Sequence, residues 1–121
     1  MKYHVSMIWL LAVLVAGLSL PAQAGGRYQD PPEFINEVVA KATDALEAIK
    51  KDDYDTAMSA LSEARNLAKE SNKMKTTAPM QLASGELRMA KAALRKKNTD
   101  KAVAHLEKVI PYLNKVIESY Q

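Results

Sequence analysis

A repeat constrains this chain more than any other feature. Shifted by 45 positions, the stretch Lys41–Lys69 falls on Glu86–Asn114, and Ala45/Ala90, Ala48/Ala93, Lys51/Lys96, Asp55/Asp100, Ala57/Ala102 and Leu61/Leu106 coincide. Conservative pairs fill the gaps: Ile49 with Leu94, Lys50 with Arg95, Asp53 with Asn98, Met58 with Val103. In each copy apolar residues recur at steps of three and four, stop at a short polar turn, and resume. That is the pattern of helix, turn, helix. A solenoid needs about three units to bury its faces, so two copies are expected to close on each other. The expected fold is all-α, an antiparallel up-and-down four-helix bundle made of two repeated helical hairpins.

At 121 residues the chain has room for one domain. It contains no cysteine, which excludes disulfides, thiolate metal sites, covalently attached haem and an acylated lipoprotein anchor. Residues 1–24 read as a cleaved signal peptide: Lys2, an apolar run from Met7 to Leu20, Pro21, then the small-x-small pattern Ala22-Gln23-Ala24. The apolar run is shorter than the roughly 20 residues a membrane span needs. The mature protein is therefore expected near Gly25, periplasmic or secreted, with no stable membrane anchor after cleavage. Residues 25–31 are a flexible lead-in and residues 32–121 the bundle domain.

Asp30-Pro31-Pro32-Glu33 is predicted to open the first helix, with the aspartate as cap. Ile35, Val38, Val39, Ala42, Ala45, Leu46 and Ile49 form its core stripe. Asp52-Asp53 turns the chain and caps the second helix, whose stripe is Tyr54, Ala57, Met58, Leu61, Ala64, Leu67 and Ala68. The polar segment from Ser71 to Thr77 is predicted to be an exposed, mobile link. Thr77 and Pro79 open a third helix with Met80, Ala83, Leu87, Ala90 and Leu94 inside. Gly85 within it costs about 1 kcal/mol relative to alanine, so a close neighbouring helix is expected there. After Asn98-Thr99-Asp100 the last helix carries Val103, Leu106, Val109, Ile110, Leu113, Val116, Ile117 and Tyr120, with a bend predicted at Pro111. The recurring inward alanines leave little room for an internal cofactor, and none is expected.

The formal charge of +3 falls to +2 without Lys2 and is no nucleic-acid footprint. Its distribution is uneven: Gly25 to Glu70 holds six basic and ten acidic side chains, Ser71 to Gln121 ten basic and four acidic. One consequence is attraction between the hairpins; another is a basic half able to meet an acidic partner or an anionic membrane. The one mature histidine, His105, has Lys101, Ala102, Lys108 and Val109 at helical spacing, which is no metal site. Asp52, Asp53 and Asp55 with Glu47 could loosely hold a hard cation, but they read first as turn and cap residues. No serine or threonine has a base near it in sequence, so no catalytic residue is nominated and the chain is not expected to be an enzyme. Tyr54, Met74, Tyr112 and Tyr120 are the candidate partner-binding surface.

Asp53-Tyr54-Asp55-Thr56-Ala57, with Ala64 seven residues after Ala57, resembles the turn and second helix of a tetratricopeptide repeat. The second copy keeps the turn as Asn98-Thr99-Asp100-Lys101-Ala102 but has Val109 in place of Ala64, and the period differs from that family's 34 or so. In size and helix break the second hairpin resembles the periplasmic b-type cytochrome bundles. Val39 and Ile117 stand where those proteins have haem ligands, so haem binding does not carry over. The small metal-binding bundles of nitrifying bacteria share the signal and helix pattern but are rich in histidine. Pro79-Met80-Gln81-Leu82, Ala90, Ala93-Leu94 and Asn98 to Ala102 leading to Leu106 resemble the helical hairpin of the YfdX family of exported proteins, over roughly the last 40 residues. That resemblance implies a non-enzymatic, envelope-stress role. The expectation is an exported bundle that binds or protects protein partners, a homodimer being one arrangement; the alternative is a small-ligand or metal-ion carrier using the Asp52–Asp55 turn or a gap near Gly85.

Overall fold

The computed structural model describes residues 30–121. The expected signal peptide and most of the expected lead-in lie outside the described residues. Four helices follow one another: α1 Ile35–Lys50, α2 Tyr54–Met74, α3 Ala78–Arg95 and α4 Thr99–Glu118. Each packs on the next, and α4 returns to α1, so the ring order is α1, α2, α3, α4. This is the expected antiparallel four-helix bundle.

The repeat reaches further than the sequence match. Ten pairs of core hydrophobic residues stand 45 positions apart, from Ile35/Met80 and Val38/Ala83 through Ala42/Leu87 to Ala64/Val109 and Ala68/Leu113. Where one copy has alanine the other often has a larger residue, as at Ala42/Leu87 and Ala68/Leu113. Large and small side chains thus alternate across the core, which lets the helices interdigitate without voids.

The two hairpin turns repeat atom for atom. Asp52 and Lys97 both adopt left-handed backbone, φ 59° and 63°. The amide N–H of Asp53 donates to the Ala48 carbonyl, and that of Asn98 to the Ala93 carbonyl, both at 2.9 Å. Asp52 and Lys97 donate likewise to Ile49 and Leu94 at 3.0 and 2.9 Å. These are Schellman closures, which satisfy the last carbonyls of α1 and α3. The residue that completes each closure also caps the next helix: Asp53 Oδ1 accepts from Thr56 N–H, and Asn98 Oδ1 from Lys101 N–H, both at 3.2 Å.

Three local expectations are corrected. First, α1 begins at Ile35, not at an Asp30 cap; its N-cap is Phe34 at φ 66° with no side-chain cap bond. A proline disfavours helical backbone in the residue before it, so Pro32 keeps Pro31 extended. The chain instead turns, with Ile35 N–H on the Pro32 carbonyl at 3.3 Å. Second, α2 runs on through Ser71 to Met74. Ser71 continues the inward stripe past Ala68 and is buried, its hydroxyl unpartnered, so packing overrides its polarity. The link shrinks to Lys75–Thr77. It is pinned: Thr76 Oγ1 donates to the Asn72 carbonyl at 3.1 Å and Asn72 Nδ2 to the Met80 carbonyl at 3.2 Å. Buried Thr77 caps α3 by accepting from Met80 N–H. Third, no neighbouring atom lies within 4 Å of where a Gly85 Cβ would be, so no close helix approach accounts for the glycine.

Helix α4 is continuous through Pro111. Pro111 and Glu107, whose carbonyl loses its helical donor, are both exposed, so water can replace the missing N–H.

Candidate functional site

Each hairpin presents an outward trough along the seam between its two helices. The α1/α2 trough, about 550 Å³, has Ala48 and Ala60 as floor and Asp44, Glu47, Asp53, Asp55 and Glu63 along its walls, with Lys41 and Lys51. The α3/α4 trough, about 350 Å³, is lined by Met89, Ala92, Ala93, Lys96, Asn98, Lys101 and His105. Every residue of the second stands 45 positions after a residue of the first. The two share one backbone frame and differ in charge.

The frame includes an ion pair whose charges are exchanged between copies. Lys41 Nζ on α1 lies 2.8 Å from Glu63 Oε1 on α2. At the matching positions Lys108 Nζ on α4 lies 3.1 Å from Glu86 Oε2 on α3. The first pair is about half exposed. In the second, Glu86 is only 6% exposed while Lys108 reaches in from solvent. Glu86 tolerates burial because His105, at the position of Ala60, puts Nδ1 2.7 Å from Oε1. Burial pushes the Glu86 carboxyl up, and this is the largest single influence. Hydrogen bonds from His105 and Lys108, with their charges, together outweigh it and hold the group below the ordinary carboxylate value. Lys41 is held above the usual ammonium value, first by its hydrogen bond to Glu63 and then by that carboxylate's charge.

A carboxylate gripping an imidazole orients the ring, as in acid–base sites. The trough beside His105 offers a thioether, an amide and two ammonium groups, and no hydroxyl or thiol lines it. The arrangement holds charge in place.

The sequence-derived surface residues do not assemble into one patch. Tyr54 and Met74 begin and end α2 and so stand at opposite ends of the bundle. Tyr54 is partly buried under Lys97, whose Nζ sits 3.8 Å from the ring centroid, joining the two hairpin turns. Met74 is 60% exposed, and Tyr112 on α4 is exposed. Tyr120 is partly buried and engaged in contacts. Two further exposed apolar residues, Leu82 and Met89, lie one above the other on α3. Asp52 holds the left-handed turn position and Asp53 serves as cap, so two of the three turn carboxylates have structural roles. Among the described residues no group of three His, Asp or Glu side chains is placed to hold a metal ion.

The spacing of residues along α4 alone gives no sign of the Glu86–His105–Lys108 cluster, because Glu86 comes from α3. The repeat held a signal for it. Lys41 and Glu63 become Glu86 and Lys108 under the same 45-residue shift, opposite charges at both matched pairs of positions. No family model, curated protein or solved structure matches this chain.

Proposed function

We propose that this protein is an exported, non-catalytic four-helix bundle that binds or protects protein partners in the periplasm. The resemblance to exported envelope-stress hairpins supports that setting. The observation that supports binding is the placement of recognition chemistry on the outside. Aliphatic side chains and Met80 fill the core, while charged troughs and exposed Met74, Leu82, Met89 and Tyr112 face solvent. Such a surface can hold an extended or helical segment of another protein between charged walls, with small side chains as floor.

The test is site-specific photo-cross-linking in the native envelope, with the cross-linker at Glu47, at Lys101 and at Asn114 on the exposed outer surface. A discrete adduct from Glu47 or Lys101 and none from Asn114 is the expected result. No adduct from either trough, together with failure of the purified protein to slow aggregation of an unfolded client, would defeat the proposal.

A further inference from the structure

Of the four ion pairs among the described residues, two lie within the first hairpin and two within the second, and none joins the hairpins. The opposite charge excesses of the two halves are therefore not consumed in joining the hairpins; they face outward. In the α1/α2 trough Glu63 is engaged with Lys41 and Asp53 with Thr56, but Asp44, Glu47 and Asp55 are exposed and have no ion-pair partner among the described residues. In the α3/α4 trough Lys96 and Lys101 are exposed and equally unpaired, beside Met89 at 41% exposure. The aspartate, glutamate and lysine charges of the linings sum to −3 on the first side and +2 on the second.

We propose that these two troughs form a head-to-tail contact between copies of this chain: the α3/α4 face of one molecule docks on the α1/α2 face of the next. The lysine arms at 96 and 101 meet the carboxylates at 44 and 47, and Met89 covers the alanine floor at 48 and 60. Charge arranged this way fixes register and speeds encounter more than it adds affinity, so the contact is weak and salt-sensitive. The ring order puts the two troughs on opposite sides of the bundle. Filling one leaves the other free, and the contact is not self-complementary. It extends as an open row instead of closing as a dimer. This uses the same troughs as the partner-binding role and names a second copy of the chain as their occupant.

The experiment is sedimentation of protein purified from cells expressing the full chain, from micromolar to millimolar concentration. It is run at about 0.01 M salt, where charges act over about 30 Å, and at about 1 M, where they act over about 3 Å. The expected result is a weight-average mass that climbs past the dimer at low salt and returns to monomer at high salt. The double variants Asp44→Lys/Glu47→Lys and Lys96→Glu/Lys101→Glu should each be monomeric and as helical as wild type, and mixing them should restore association. A monomer throughout, a closed dimer, association that survives 1 M-range salt, or a mixture that stays monomeric would each overturn the inference. A cross-link from Glu47 or Lys101 to a second copy of the chain reports this contact, and one to a different protein reports partner binding, so the two readings fail separately.

Discussion

Glu86 and His105 meet at 2.7 Å across the α3/α4 seam, at the positions where the first hairpin has Lys41 and Ala60. The exchange turns an exposed surface pair into a buried carboxylate held from two sides. Removing the carboxylate leaves the His105 ring nitrogen and the Lys108 ammonium without their acceptor. Glu86→Ala is expected to cost about 1–3 kcal/mol, moderated by the solvent access of Lys108. Urea unfolding checks it. Lys41→Met, at an exposed pair, should leave the midpoint nearly unchanged.

The pH dependence follows from the direction of the Glu86 shift. Its folded-state value lies below the unfolded one, so its contribution is complete above the unfolded carboxylate range and is lost as pH falls through the folded value. The stability gap between wild type and Glu86→Gln should therefore narrow as pH drops from about 7 to below about 4. A gap independent of pH would contradict this.

Gly85 sits inside α3 with open space where a side chain would go. Gly85→Ala should stabilise the bundle by about 1 kcal/mol, because alanine loses less backbone entropy and meets nothing. Thermal unfolding reads this as a raised Tm; a lowered Tm would mean that the site does not accept a Cβ.

The left-handed residues of the two turns should respond differently to glycine. Asp52→Gly relieves an unfavourable conformation and is expected to gain about 0.5–1 kcal/mol. Lys97→Gly gives similar relief but removes the ammonium from the Tyr54 ring, a loss of about 0.5–1 kcal/mol. Its net effect should be close to nothing. Adding Tyr54→Leu to both backgrounds tests the account: the difference between the two glycine variants should shrink.

The core should be intolerant in both directions. Leu87→Ala opens a hole opposite small neighbours and should cost about 2–5 kcal/mol. Ala64→Leu, at a fully buried alanine of the closely packed α2, should cost about 1–3 kcal/mol by overpacking. Denaturant midpoints of the two variants check both.

The four helices, the hairpin pairing and most buried apolar residues were legible in the sequence, the core stripes missing Ala48, Ala60, Ala93 and Ala102. Periodicity of three and four is a property of one helix at a time, and the 45-residue shift showed that the chain does the same thing twice. The caps at Asp53 and Thr77 were readable for the same reason, since each acts on an amide three residues away, whereas Asn98 reads as a turn residue and its capping of α4 is a structural finding. Tertiary structure decided the rest. Ser71 is polar by composition yet buried because α3 covers the end of α2, and the first helix starts late because two prolines and Phe34 turn the chain before it. Above all, the meeting of Glu86 with His105 and Lys108 depends on how α3 and α4 are rotated and offset against each other. A helical period fixes which face a residue occupies; only packing between helices sets which side chain stands opposite it.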